Sequence, residues 1–133
     1  IKSILVAKQN AEKFCCENII FLNHDWNNEW LFPQVDYLIS NPPYVDKEAT
    51  TGKEEGIWHE PEKALFSKDK GLSDLKLILS KGKNFLNENG KVYLEHAPDQ
   101  YEELNKFAVE NGYLNFSNLN DLNGDKRVSI YQC

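Results

Sequence analysis

Residues 35–44 read V-D-Y-L-I-S-N-P-P-Y. The first six are near-continuously apolar, which predicts a strand in a parallel sheet covered on both faces. The last four break it. Pro42 and Pro43 fix two φ angles near −65° and force the residues before them into extended backbone. As punctuation alone, this is a stiff strand terminator. As a tool, it presents two rigid acceptors, the Asn41 amide oxygen and the Pro42 carbonyl oxygen, with the Tyr44 ring alongside. Two such oxygens can grip both hydrogens of one planar NH₂ group. A conjugated NH₂ nitrogen is a poor nucleophile, and acceptors on its hydrogens help most as charge builds on nitrogen during attack. An amide directly at the end of an apolar strand, and a phenol after both prolines, favour the tool over the punctuation.

Outward from this stretch, the chain alternates. Residues 2–15 carry a helical stripe at 4, 5, 7, 11, 14 and 15. N-I-I-F-L at 18–22 predicts a buried strand, and N-H-D-W-N-N at 23–28 a polar loop. Residues 45–60 predict a long surface loop with Gly52 and Gly56, and loops of that length are commonly functional. A helix follows over about 72–86, then the turn Asn87-Glu88-Asn89-Gly90 and a strand over 91–96. Another helix covers 98–111, with Pro98 in its first turn and Asn111-Gly112 at its end. Two strands close the chain at 113–117 and 127–132, joined by a turn around Asn123-Gly124-Asp125. The order α-β-β-α-β-α-β-β implies an open α/β sheet ending in an antiparallel hairpin. In such sheets ligands sit beyond the carboxyl ends of the strands. The loops holding H-D-W and N-P-P-Y both qualify.

Composition narrows the classes. The chain has 133 residues, 41% hydrophobic and 27% charged, which suits a soluble single domain. No apolar run reaches the ~18–20 residues of a membrane span. A net charge of −6 argues against general nucleic-acid binding. Cys15, Cys16 and Cys133 form no disulfide framework, which points to a reducing cytoplasm. His24, His59 and His96 are spread without metal-ligand spacing, so no metal site is expected. The chain holds no methionine and begins Ile1-Lys2-Ser3, from which a piece of a longer protein is expected.

D-Y-L-I-S-N-P-P-Y-V resembles the strand and turn of S-adenosylmethionine-dependent amino-group methyltransferases. The wider pattern is more specific. H-E-P-E-K-A-L-F at 59–66 with G-L at 71–72, L-E-H-A-P-D-Q at 94–100 and D-L-N-G-D-K-R-V at 121–128 together resemble the release-factor glutamine methyltransferases. The helix V-A-K-Q-N-A at 6–11 is similar to one that follows that family's second strand. The resemblance implies a Rossmann-like class I methyltransferase sheet, incomplete here because the family's first strands and G-x-G-x-G loop lie before the segment matching residue 1. Residues 1–133 would then be the C-terminal portion of a catalytic domain. It implies S-adenosylmethionine as cofactor and a peptide-chain release factor as protein substrate, methylated on a glutamine side-chain nitrogen. By position Asn41, Pro42, Pro43 and Tyr44 would hold that amide. Trp26 would pack on the cofactor adenine, with Asp25 beside it and Asn41 also facing the cofactor. Glu60 and Pro61 would shape the cleft wall, while Glu95 and His96 would act as supports. His59 and Ala97 depart from the family pattern, which has an aromatic and a glycine there.

Three further expectations follow. The chain alone is inactive, and its exposed sheet edges lead it to self-associate. A nucleic-acid adenine-N6 methyltransferase remains an alternative, since that nitrogen is also a planar conjugated NH₂. A non-catalytic interaction module is the other.

Overall fold

The structure is a computed structural model that describes residues 2–50 and 60–133. The chain divides into two compact units, Ile1–Leu31 and Phe32–Cys133.

In the first unit, α1 spans Lys2–Lys13. The helical stripe expected over 2–15 is therefore present, but it buries little: Ala11 is buried, whereas Leu5, Val6 and Phe14 are exposed. The strand predicted over 18–22 is absent. Those residues are irregular, and Ile19, Ile20 and Leu22 are exposed. A strand exists only by pairing its N–H and C=O groups with a neighbour. No other strand is assigned among the described residues of this unit, so the apolar, β-branched segment has nothing to pair with. Residues 23–28 form the loop expected from sequence, closing on a turn at Asp25.

The second unit carries the α/β sheet. Its described elements are β1 (Val35–Ser40), β2 (Val45–Asp46), α2 (Glu62–Leu65), β3 (Phe66–Ser67), α3 (Ser73–Gly82), β4 (Leu86–Glu95), α4 (Tyr101–Glu110), β5 (Asn115–Asn120) and β6 (Lys126–Gln132). The main sheet runs β1-β4-β6-β5. β1 and β4 are parallel, with Leu38 opposite Val92 and Ser40 opposite Leu94. β6 is antiparallel to both β4 and β5. The sheet is thus parallel where a helix connects its strands and antiparallel at the final hairpin, as the element order implied. The small parallel pair β2–β3 was not foreseen. Two-residue strands carry no periodicity to read. Residues 51–59 of the predicted 45–60 loop, with Gly52, Gly56 and His59, lie outside the described residues.

The turn expected at 87–90 is a bulge inside β4. Val35 pairs with Leu86 and Tyr37 with Lys91, so the extra residues of β4 loop out. Asn89 takes a left-handed φ of 63°, which the short amide side chain tolerates. At the far end of the chain, Gly124 turns the β5–β6 hairpin with φ +91°.

The core lies on one face of the sheet. Leu75, Ile78 and Leu79 of α3 recur at helical spacing and are almost fully buried, with Leu104 and Ala108 of α4. Val92 and Leu94 of β4 and Tyr131 of β6 are equally buried, and α3 packs on β4 and α4 on β6. Tyr113 and Tyr131 bury their rings 5.7 Å apart. Each hydroxyl finds a partner, Tyr113 donating to the Leu79 carbonyl at 2.8 Å and Tyr131 to Asn105 Oδ1 at 2.9 Å. Burial pushes both phenols well above their usual range, so they remain donors. Lys83 closes the C-terminus of α4 by donating to the carbonyls of Asn111 and Gly112 at 3.1 and 3.2 Å.

The other face corrects an expectation. β1 is not covered on both sides: Tyr37 is 63% and Ile39 77% exposed. α3 and α4 pack against each other and so share the opposite face. The apolar run forms a strand, but its second face has no helical layer among the described residues of this unit. Among the described residues no helix is long and apolar enough to cross a membrane.

Candidate functional site

β1 ends at Ser40, and the next residue, Asn41, is exposed. Its side chain makes no hydrogen bond among the described residues. Pro42 is fully buried and Pro43 buried, so the stiff corner is packed into the unit while the amide before it faces outward. Asn41, Pro42, Tyr44 and Val45 line a cleft of about 220 Å³ whose other wall is Glu60, Ala64 and Leu65. The cleft therefore joins two of the motif segments, N-P-P-Y and E-P-E-K-A-L. Lys47 ties them together from outside with a 3.1 Å ion pair to Glu62 of α2. Larger grooves occur elsewhere, beside β2–β3 and along α4, but neither includes Asn41.

Tyr44 is where the remaining segments converge. Its hydroxyl donates to Glu95 Oε1 at 3.0 Å, at the end of β4. Arg127 Nη2 of β6 donates to the same hydroxyl oxygen at 3.3 Å, and the guanidinium carbon lies 5.7 Å from the ring centroid. Its backbone carbonyl accepts from Gln100 Nε2 at 2.8 Å. Burial raises the Tyr44 phenol above its usual range, and the Glu95 carboxylate raises it further, against the opposing pull of Arg127. The hydroxyl thus stays protonated and keeps its bond to Glu95.

Each partner is itself held. Arg127 Nε lies 3.9 Å from Asp121 Oδ2. Asp121 Oδ1 also accepts from the backbone N–H groups of Asn123 and Asp125 at 2.8 and 3.1 Å, which shapes the hairpin turn. The D-L-N-G-D-K-R-V segment is therefore one device: its first residue makes the turn and steadies the arginine that reaches Tyr44. His96 is buried completely. Its Nδ1–H donates to the Ala97 carbonyl at 2.7 Å, which leaves Nε2 to accept from the Ser129 hydroxyl at 2.8 Å. Burial holds this imidazole below the ordinary histidine range, so it is neutral. Its backbone N–H donates to the Arg127 carbonyl at 3.0 Å. His96 is a strut between β4 and β6 and does not face the cleft. Glu95, by contrast, touches the site residue Tyr44 directly.

Gly71 explains the G-L pair. It has φ +83°, and an added Cβ would overlap the Tyr44 carbonyl oxygen and crowd Gln100 Nε2. It follows Asp69 and Lys70, both at φ 54°. Three consecutive left-handed residues are costly unless the surroundings impose them. Here Lys76 of α3 binds Asp69 at 2.8 Å and Glu103 of α4 at 2.7 Å, while Gln100 Nε2 also donates to the Lys70 carbonyl at 3.0 Å.

Of the residues singled out from sequence, Asn41, Pro42, Pro43 and Tyr44 stand together, with Glu60 across the cleft. Trp26 and Asp25 lie in the first unit. Asp25 Oδ1 accepts from the Asn27 backbone N–H at 2.9 Å and from its side-chain amide at 2.8 Å, so the carboxylate builds the loop. Trp26 is half-buried, and its carbonyl accepts from Trp30 Nε1 at 3.0 Å. Gly71, Gln100, Asp121 and Arg127 lie within the motif segments, and their roles here come from the structure. The resemblance of L-E-H-A-P-D-Q and D-L-N-G-D-K-R-V was the signal in sequence for the Tyr44 clamp.

No family model matches the chain. Curated relatives do. The release factor glutamine methyltransferase of Francisella tularensis subsp. tularensis is 32% identical over 131 residues, which cover 98% of this chain and 46% of that protein. The one from Aliivibrio fischeri is 33% identical over the same length, with the same shares. The chain spans about half the length of the curated relatives it matches. Among solved structures, a methyltransferase from Pyrococcus furiosus superposes with a TM-score of 0.67 at 17% identity, covering 97% of this chain and 56% of that one. That likeness shows the fold: an open Rossmann-like α/β sheet. The resemblance seen in the four motif segments thus extends over nearly the whole chain.

Proposed function

We propose that this chain carries the acceptor site of an S-adenosylmethionine-dependent methyltransferase that acts on a glutamine side-chain amide of a peptide-chain release factor in the cytoplasm. The observation that carries this reading is the junction at Asn41–Tyr44. An amide with no hydrogen bond among the described residues stands exposed at the end of a parallel strand, on a buried proline corner whose next residue, Tyr44, is held by three side chains from two other segments.

The chemistry follows from that rigidity. The glutamine NH₂ is planar and its lone pair is delocalised into the carbonyl. Asn41 Oδ1 and the Pro42 carbonyl oxygen accept its two hydrogens, and Tyr44 lies against the amide plane. The acceptors gain strength as positive charge develops on nitrogen, so they act on the transition state more than on the bound substrate. Arg127 occupies the neighbourhood of the Tyr44 ring and Glu95 its hydroxyl, so the phenol orients and does not take the proton. Holding the nitrogen in line supplies the rest through proximity.

The cofactor, when bound, provides a methyl group activated by sulfonium sulfur. The residues of this chain fit part of it. Asn41 fits it, since its side-chain amide makes no hydrogen bond among the described residues; the resemblance assigns Trp26 to the adenine. Asp25 serves by holding the loop that presents Trp26. The first glycine of the chain is Gly52, so the glycine-rich loop of such sites is not among these residues.

The experiment supplies labelled S-adenosylmethionine to the native gene product that carries this chain, with release factor, DNA or ribosomal RNA in parallel. Label in the release factor is the expected result. Label in nucleic acid would transfer the same acceptor geometry to adenine N6, a reading that the net charge of −6 and Glu60 in the cleft wall disfavour. No label in any acceptor would leave an interaction module.

A further inference from the structure

We infer that Gln100 is a positioning residue for methyl transfer, acting through the Tyr44 carbonyl; this rests on the acceptor role proposed for the Asn41–Tyr44 turn. Gln100 is 6% exposed and sits just before α4, far in sequence from the turn it holds. Both of its Nε2 hydrogens and its Oε1 are engaged. One Nε2 hydrogen goes to the Tyr44 carbonyl at 2.8 Å and the other to the Lys70 carbonyl at 3.0 Å. Its Oε1 accepts from the Ala97 N–H at 3.0 Å.

That single amide therefore joins three backbones: the proline corner, the left-handed 69–71 turn and the start of the α4 segment. Prolines stiffen the corner internally, yet neither proline carries an N–H with which to anchor itself. The anchor must come from a donor outside the corner, and Gln100 supplies it at the first residue after the prolines. Gly71 leaves no slack beside it, since the Tyr44 carbonyl is packed against the Gly71 α-carbon. The hydroxyl end of Tyr44 is fixed independently by Glu95 and Arg127. Without Gln100, the ring would stay tethered while the backbone carrying Asn41 and Pro42 could shift, and misplacement of about 1 Å can cost on the order of 100-fold in rate.

The test uses Gln100→Glu and Gln100→Met in the native gene product. Gln100→Glu keeps the shape and the acceptor for Ala97 but faces a carboxylate toward two carbonyl oxygens. Burial beside those carbonyls raises the introduced carboxyl above the usual carboxylate range, and its protonated form again has a hydrogen to donate. At pH about 8.5, kcat should fall roughly 30- to 100-fold with KM for the release factor within about twofold. Towards pH about 6 the Gln100→Glu variant should recover at least about tenfold relative to wild type, while Gln100→Met should not. Hydrogen exchange of the Asn41, Tyr44, Val45 and Asp46 amides should quicken in both variants, with the β4–β6 pairing unchanged. A Gln100→Glu pH profile parallel to wild type, or unchanged exchange of those amides, overturns the inference. A wild-type protein that methylates no glutamine overturns the proposed function, and the exchange result then still judges Gln100 separately.

Discussion

Replacing Asn41 with Ala in the native gene product is expected to lower kcat for release-factor methylation by about 100- to 1,000-fold, the range seen when one oriented transition-state partner is removed. KM for the protein substrate should change little, because the acceptor bonds matter chiefly once the nitrogen is reacting. Thermal stability should stay within about 0.5 kcal/mol of wild type, since an exposed side chain with no hydrogen bond among the described residues contributes little to folding. The two readouts together separate chemistry from architecture. Lost rate with retained stability is what the acceptor role requires. Retained rate would reduce N-P-P-Y to a strand terminator.

Gly71→Ala is expected to be the most damaging glycine-to-alanine change among the described residues. It meets two costs at once. A φ of +83° strains any residue with a Cβ, and here that Cβ lands on the Tyr44 carbonyl oxygen, which Gln100 already holds. Strain of about 1 kcal/mol or more and an overlap costing a further 1–3 give about 2–4 kcal/mol in all. Gly124→Ala is the matched control, because its φ is +91° but nothing lies within 4 Å of the added atom. Urea denaturation should give a Gly71→Ala loss at least about twice that of Gly124→Ala. Equal losses would mean that the 69–71 turn yields easily and does not brace the corner.

The parts of this fold that declared themselves in sequence are those whose signal is local. The stripes on α3 and α4, the strand before Asn41, and the turns at Asn111-Gly112 and Gly124 all follow from periodicity or from a backbone only glycine favours. The strand expected at 18–22 failed for the opposite reason. Its apolar, β-branched residues describe a preference, and a strand also needs a neighbour, which the described residues of that unit lack. The exposed Tyr37 and Ile39 make the same point on β1: a two-faced apolar run states what the strand would bury, not what covers it. At the site, N-P-P-Y could be read from its own chemistry. Its clamp could not, because Glu95, Gln100 and Arg127 lie 51, 56 and 83 residues beyond Tyr44. What brought those segments forward was resemblance, and the structure supplies the physical reason for it: N-P-P-Y, G-L, L-E-H-A-P-D-Q and D-L-N-G-D-K-R-V meet at one tyrosine.

The central claim is that the proline corner grips a planar NH₂ group with two oxygens. A crystal structure of the native gene product with a glutamine-containing release-factor peptide and the demethylated cofactor would examine that directly. The account predicts the glutamine side-chain nitrogen within hydrogen-bond distance of both Asn41 Oδ1 and the Pro42 carbonyl oxygen, with Tyr44 against the amide plane. A glutamine bound with its nitrogen turned away from both oxygens would contradict it.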